Sequence, residues 1–385
     1  MLTRRFCPLL SVVLILPWAG AGAGDAENRA LLLAVETNHI EFAGFALNEG
    51  ADPDARDSRG YTALTIAVAA SHAGMIDLLL RRGADPNLVT PNGFSPLLVA
   101  AGQSRLELVN ALLSGGAKPD VGATPEGLHA LHLAARNGDR PAVQRLLDAG
   151  AAVDITTPDA RTPLMLAARR GAAPVVATLV AGGANVNLAT AEGYTALMNA
   201  AGWGHPDTVA ILLNNRVDVN MVSQDERSAL HRAAARGRST IISLLLTAGA
   251  DLELRARDGD TALGTAVYFG QSEAAVLLLN AGANIDAPAR SGETPLMLAV
   301  RGNHPELART LLARNASVNA PAADGGHTAL LMAVDRRLVA TVTMLLAAGS
   351  DVKQRDAQGR DALAAARALA DPRLTALVEN ALQQP

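Results

Sequence analysis

"ARTPLMLAARRG", residues 160–171, is the stretch whose reading decides the fold. Thr162 stands where a side-chain oxygen can cap a helix start. Pro163 follows at the first helical position, where a missing N–H costs nothing. Leu164 and Ala167 are spaced to share a helix face, and Gly171 suits a left-handed stop. The stretch therefore encodes one short helix with a defined start and end. Working outward, leucines equivalent to Leu164 stand at Leu64, Leu97, Leu131, Leu197, Leu230, Leu263, Leu296, Leu330 and Leu363. Every step is 33 residues except two of 34, and Leu31 begins the series one step earlier. An alanine follows three residues after each, from Ala34 and Ala67 through to Ala366.

The rest of each period repeats as well. Caps recur at Thr195, Thr261 and Thr294, with Pro96 and Pro295 in the slot of Pro163. Gly138, Gly204, Gly237 and Gly270 share the stop position of Gly171. A second helix carries apolar residues such as Val209, Leu212 and Leu213, and Gly183, Gly249 and Gly282 end it. Runs such as "LLLRRGAD" (78–85) and "LLLNAGAN" (277–284) mark its close, and "TPNG" (90–93) and "TPEG" (124–127) form turns with proline preset at the second position. Self-similarity at this period marks a row of stacked units. Ordering one unit costs on the order of 1–2 kcal/mol per residue, while each buried leucine or valine returns about 1.5–3 kcal/mol. One unit alone is unstable, so neighbours must complete it.

The pattern resembles the ankyrin repeat, and "DSRGYTALTIA" (57–67), "EGLHALHLAARNG" (126–138), "ARTPLMLAARRG" and "SGETPLMLA" (291–299) carry the likeness. It runs from Asn28 to about Leu382. The expected fold is all-α dominated: a curved solenoid of helix-turn-helix units joined by β-hairpin-like turns. Units about 10 Å apart would make the row roughly 100 Å long. The expected organisation is a signal peptide over 1–23, a capping repeat over 24–55, nine repeats over 56–355 and a capping repeat over 356–385. Phe42 and Phe45 are expected at core-facing positions of the first cap. Asp361 takes the cap threonine's place in the last, and Asp371-Pro372 opens its final helix.

The first residues, "MLTRRFCPLLSVVLILPWAGAGAGDAE", have the parts of a secretory signal. Arg4 and Arg5 are the positive region, Pro8–Leu16 the apolar region, and Ala19–Gly24 the small residues, with cleavage expected after Ala21 or Ala23. The apolar run is short for a membrane span, so retention as an anchor is the weaker expectation. Strong apolarity argues against a twin-arginine signal, and Cys7 lies ahead of the run, where no lipoprotein attachment occurs. Cys7 is the only cysteine, so a cleaved chain has no disulfide, thiol catalyst or thiolate metal site. Cleavage takes 33 basic residues to 31 against 37 acidic ones, a formal charge of −6, which disfavours nucleic acid as a partner.

The eight histidines fall into register. His39, His72, His205 and His304 share the start of the second helix, and His132 and His231 share the T-P-L-H slot, where the ring bonds to neighbouring backbone. His129 and His327 fall near turns. No third ligand accompanies His129 and His132, so neither metal nor cofactor is expected. No nucleophile elbow, Walker-type loop or paired carboxylates stand out, so no enzyme is expected. The aspartates of "GADPN" and the asparagines of "NVN" (185–187) are turn formers.

Function should then lie in the residues that the repeat leaves free. One free slot follows the turn glycine: Tyr61, Phe94, Leu128, Arg161, Tyr194, Arg227, Asp260, Glu293 and His327. The other is the pair closing the first helix, including Arg136, Arg169-Arg170, Trp203, Arg236, Tyr268-Phe269, Arg301 and Arg336. Ankyrin-like arrays line their concave groove and hairpin tips with these slots. Aromatics are 3% of the chain. Behind the signal there are eight, and all but Phe42 and Phe45 fall in the two slots. Tyr, Trp and Arg dominate binding hot spots. Trp203, Tyr268, Phe269, Tyr194, Arg169, Arg170, Arg136, Arg236, Arg301, Tyr61 and Phe94 are therefore the candidate partner-binding residues. The competing structural role is that the arginines pair with turn acids such as Glu126, Asp159, Glu192, Asp225 and Asp258, and that the aromatics cover turn stems. The expected protein is a monomeric, non-catalytic binding module, exported to the periplasm of a bacterium, with a protein partner such as an envelope enzyme. The alternatives are a secreted effector engaging host proteins, and a groove that holds an anionic glycan or peptidoglycan fragment.

Overall fold

A computed structural model describes residues 25–323 and 326–383. The expected signal peptide and its cleavage region lie outside the described residues. Those residues form 22 α-helices and two isolated antiparallel bridges, Arg56–Thr62 and Ala189–Thr195, each spanning a turn. The chain divides into two compact units. One runs up to Ala100 and takes in Glu107–Gly122; the other holds Ala101–Leu106 and the chain from Ala123 on.

In the first unit Asp25–Glu36 packs on Ile40–Asn48 and on Ala63–Ala69, which pairs with Ala73–Arg81. In the second, first helices stack in series. Ala130–Asn137 packs on Pro163–Arg170, which packs on Ala196–Trp203, and the row continues through Ala229–Ala235, Ala262–Tyr268, Pro295–Arg301 and Ala329–Asp335 to Ala362–Ala368. The repeat alanines from Ala67 to Ala366 are fully buried, because a side chain of one carbon lets helices approach closely. The leucines from Leu64 to Leu330 are buried with them, whereas Leu363 in the last repeat is half-buried.

Local signals act as the sequence requires. The hydroxyls of Thr162, Thr195, Thr261 and Thr294 accept from the N–H three residues on at 3.2–3.4 Å, and Asp361 accepts from Ala364 at 2.8 Å. The stop of the first helix is less strict than glycine alone suggests. Asn38, Ser71, Ser104, Asn303, Arg337 and Ala370 take the slot of Gly171 with φ of 51–60°. That conformation costs a non-glycine residue roughly 1–2 kcal/mol. A closing bond to the buried repeat alanine opposes the cost: the N–H of His72 reaches the Ala67 carbonyl at 2.9 Å, and that of His304 reaches Ala299 at 2.9 Å.

Two sets of bonds tie one repeat to the next. In the first, an acceptor side chain before each turn bonds the backbone 31 residues on: Asp54 to the N–H of Asp85 at 2.9 Å, Asn187 to Asp218 at 2.8 Å and Asn220 to Asp251 at 2.9 Å. The aspartates and asparagines of the "GADPN" and "NVN" runs are thus turn formers and clasps together. In the second set, turn bonds turn. Backbone N–H groups of Ala191, Gln224, Arg257, Arg290 and Ala323 donate to the carbonyls of Asp159, Glu192, Asp225, Asp258 and Ser291 at 2.8–3.2 Å.

Phe42 and Phe45 correct an expectation. They are 46% and 59% exposed, and Ala43 and Ala46 carry the buried face of their helix. In later repeats the slot of Phe42 holds Met75, Leu108, Val175 and Leu307, all buried. The preceding repeat supplies that burial, and no described repeat precedes Asp25. The first repeat thus keeps the register of the core without its cover.

Candidate functional site

The candidate residues separate into clusters. In the first unit, Arg59 stands over the Tyr61 ring at 5.2 Å from its centroid and pairs with Asp57 at 2.7 Å, and Phe94 is half-buried. The remaining candidates lie in the second unit.

Trp203 is the last residue of its helix, directly before the left-handed cap Gly204. Its indole is 48% exposed, outside the core formed by Ala200 and Ala201. Arg169 of the preceding repeat stands 5.2 Å from its ring centroid and Arg236 of the following repeat 5.6 Å. The repeat spacing brings the two guanidinium groups to one ring, a favourable contact of about 0.5–1 kcal/mol each at an exposed site. Arg170 is exposed, with its Nε 3.1 Å from where a Cβ on Gly138 would sit. Arg136 is exposed and, after the Thr124 hydroxyl and the backbone N–H of Glu126, helps hold Glu126 below the usual carboxylate range.

Phe269 occupies the slot of Trp203 two repeats later. Tyr268 and Phe269 meet edge to face at 5.2 Å and are 39% and 50% exposed. Arg301 stands over Tyr268 at 4.8 Å, yet its Nη1 also holds Glu293 at 2.7 Å. Arg301 thus has both the expected aromatic neighbour and the competing acidic one. Tyr194 is half-buried beneath Arg232, 4.2 Å from the ring centroid. Arg232 was not among the candidates. It sits one residue after His231, where Leu166 and Leu298 occupy other repeats, and bonds Asp225 at 3.0 Å and Ser223 at 2.8 Å. Burial works to raise the Asp225 pKa, but Ser223, Arg232 and Arg227 hold it below its usual value. A charged residue in an apolar slot was the available signal.

Below Tyr268 and Phe269 is a pocket of about 340 Å³, lined also by Arg227, Asp258, Asp260, Thr265, Glu293 and Arg301. Asp260 and Glu293 are each 7% exposed, in the slot that holds Tyr61 and Phe94 earlier. Arg227 bonds Asp258 at 2.5 Å, and Arg301 bonds Glu293. Asp260 has no such partner: its Oδ1 is buried without a hydrogen bond, as is the Thr265 hydroxyl. Burial raises the Asp260 pKa to about 6; Asp258 and Glu293 add to the rise, while Arg301 and Arg227 oppose it.

Histidines in the repeated slots serve the backbone. The Nε2 groups of His132 and His231 bond the carbonyls of Arg161 and Asp260 at 2.9 and 3.1 Å, and those of His205 and His304 bond Arg169 and Tyr268 at 3.1 Å. His327 bonds Asp335 at 3.0 Å. Burial lowers the His231 pKa. Among the described residues no group of three or more His, Cys, Asp or Glu side chains is placed to hold a metal, and no helix is long and apolar enough to cross a membrane.

The repeat is found in known proteins. A family model described as ankyrin repeats (3 copies) matches residues 10–90, 31–123, 68–157, 131–223, 215–289 and 286–356. The crystal structure of the human ASB11 ankyrin repeat domain is similar at 30% identity and a TM-score of 0.52, covering 58% of this chain and 100% of that one. No curated protein matches the chain. Ankyrin repeats indicate a protein–protein interaction module, and proteins built from them are typically non-catalytic scaffolds. Matched by overlapping stretches from residue 10 to residue 356, this chain belongs to the ankyrin repeat family.

Proposed function

We propose that the chain is an exported, non-catalytic module that captures a protein partner on the side of the second unit where first helices end and turns begin. One observation carries the reading. Trp203 keeps 48% of its surface in water while Arg169 and Arg236 fix its ring from two repeats. A large aromatic braced this way is ready to be covered at little further cost in side-chain freedom. Tyr268 and Phe269, two repeats on, supply the second anchor. The basic start and apolar run at residues 4–16 support export to the periplasm, with an envelope enzyme as the partner class.

Trp203→Ala with Phe269→Ala tests the reading. The double variant should keep the helical circular dichroism of the parent and melt within a few degrees of it. Crosslinked pull-down from envelope extract should then lose the partner that the parent captures. Undiminished capture by the folded variant refutes the site. Fractionation bears on destination: a retained periplasmic pool supports the envelope role, and appearance only in the culture medium supports a secreted effector.

A further inference from the structure

The pocket below Tyr268 and Phe269 holds an uneven set of charges. Three carboxyl groups, Asp258, Asp260 and Glu293, face two guanidinium groups. Arg227 is taken by Asp258 and Arg301 by Glu293. Asp260 is left over, with Oδ1 buried and unbonded. The Thr265 hydroxyl, 1% exposed and also unbonded, lines the same space. It stands where Leu166 and Leu298 put methyl groups, so the repeat does not require a polar atom there. Gly264 beside it lets the carboxylate come close: a Cβ at that position would lie 3.3 Å from Asp260 Oδ1 and from Leu298 Cδ1.

Buried polar groups are seldom left without partners, and a folded chain that leaves two beside one opening has room for a guest that supplies them. The missing partner is a hydrogen-bond donor, since a carboxylate only accepts and the hydroxyl can accept as well. An anionic guest would meet three carboxyl groups with both arginines already engaged. A positive guest balances the odd carboxylate, and the Phe269 ring in the lining favours a cation against its face, as the Tyr268 ring already holds Arg301.

We propose that this pocket receives a basic side chain, arginine or lysine, projecting from the protein partner, with Asp260 as its counter-charge and Thr265 as a second acceptor. The inference rests on the partner-capture reading and gives it a specificity element. The partner surface that covers Trp203 should carry a basic residue that reaches Asp260.

The test uses the chain from Gly24 onward and two peptides, acetyl-Gly-Arg-Gly-amide and its citrulline counterpart, which keeps shape and removes charge. Affinities are read by NMR titration at pH 7.5. The arginine peptide should bind at least tenfold more tightly than the citrulline peptide, and Asp260→Asn should remove that difference. Equal binding of the two peptides, no binding of either, or full arginine affinity in Asp260→Asn overturns the proposal. If Asp260→Asn does not fold, the parent decides the matter by pH. Asp258, Glu293, Arg227 and Arg301 line the pocket with Asp260, and the His231 ring bonds its carbonyl. Arginine affinity should drop at least fivefold from pH 7.5 to 5 as Asp260 takes up its proton, and a flat profile overturns the proposal. The two readings fail separately. Partner capture lost in Trp203→Ala but intact in Asp260→Asn defeats the pocket alone; capture intact in both defeats the site.

Discussion

Early and late turns of the chain solve one stacking problem in two ways. In the slot where Ala191, Gln224, Arg257, Arg290 and Ala323 donate to the previous turn, earlier repeats carry Pro91, Pro125 and Pro158. Proline has no N–H to give. The rings of Pro91 and Pro158 instead lie on a glycine of the turn before, so that a Cβ on Gly60 would come within 2.6 Å of Pro91 and one on Gly127 within 2.3 Å of Pro158. The side chains in the slot after the turn shift as well: Phe94 and Leu128 follow Pro91 and Pro125, Arg161 follows Pro158 and Tyr194 follows Ala191, and from there on the slot holds Arg227, Asp260, Glu293 and His327. The change from packed to bonded turns thus comes before the slot turns fully charged or polar. Bonded turns fix the backbone without needing a proline ring, and the pocket lies among them.

The comparison breaks most sharply at Gly292. It has φ +80°, and a Cβ there would stand 2.1 Å from the Ala323 nitrogen, which donates to the Ser291 carbonyl across two turns. Gly292→Ala should cost about 2–4 kcal/mol, from left-handed strain plus overpacking against backbone. Urea unfolding measures it, and a loss below about 1 kcal/mol would mean that the late turns yield easily.

Asp260→Asn probes the charge that the bonded turns tolerate. The Asp260 pKa rises from its usual 3.8 to about 6 on folding. The folded state therefore holds this proton more tightly, and the associated stability is full below about pH 4 and fades as pH rises through 6. Asparagine removes the uncompensated charge, so the variant should be more stable than the parent at pH 7.5. The upper limit is about 3 kcal/mol, reduced by water entering the open pocket. Melting curves from pH 4 to 8 should show the gap closing as pH falls. A parent at least as stable at pH 7.5 contradicts the assignment. His231 titrates in the opposite sense: its lowered pKa makes folding weaken as pH falls below 6.5, a slope that Asp260→Asn should leave visible.

The smallest effect is expected for Gln224→Pro, which turns a bonded turn into one of the early kind. It deletes the 2.8 Å bond to Glu192, at a cost of about 1 kcal/mol that proline's stiffness in the unfolded chain partly offsets. Thermal unfolding against Gln224→Ala, which keeps the N–H, isolates the bond, and equal melting points would show that the bond between turns adds no stability.

Much of this could be read from residue order. The caps at Thr162 and Thr294, the buried alanines and the backbone-bonding rings of His132 and His231 each follow from a residue type in a fixed slot. Phe42 lies exposed because slot determines facing, while burial depends on whether a neighbour is there; the slot of Phe45 is only half-buried even where later repeats put Leu78 and Leu244. Arg232 and the Asp260 pocket escaped for another reason. Arg227, Arg301, Asp258 and Glu293 look alike in sequence, and only their pairing reveals that Asp260 is the carboxyl of this pocket left without a match. The signal lay in Arg232 and Thr265, polar residues standing where other repeats carry leucine.

The clasps that reach 31 residues ahead also bear on how such a chain can grow. Asn187 accepts from Asp218, and Asn220 two residues on accepts from Asp251, so each segment brings both a hook and an eye. Duplication of a whole segment supplies the two in matched number, and the lengthened chain closes without redesign. A fragment of a segment leaves one of them idle, which favours change by entire periods over change by parts.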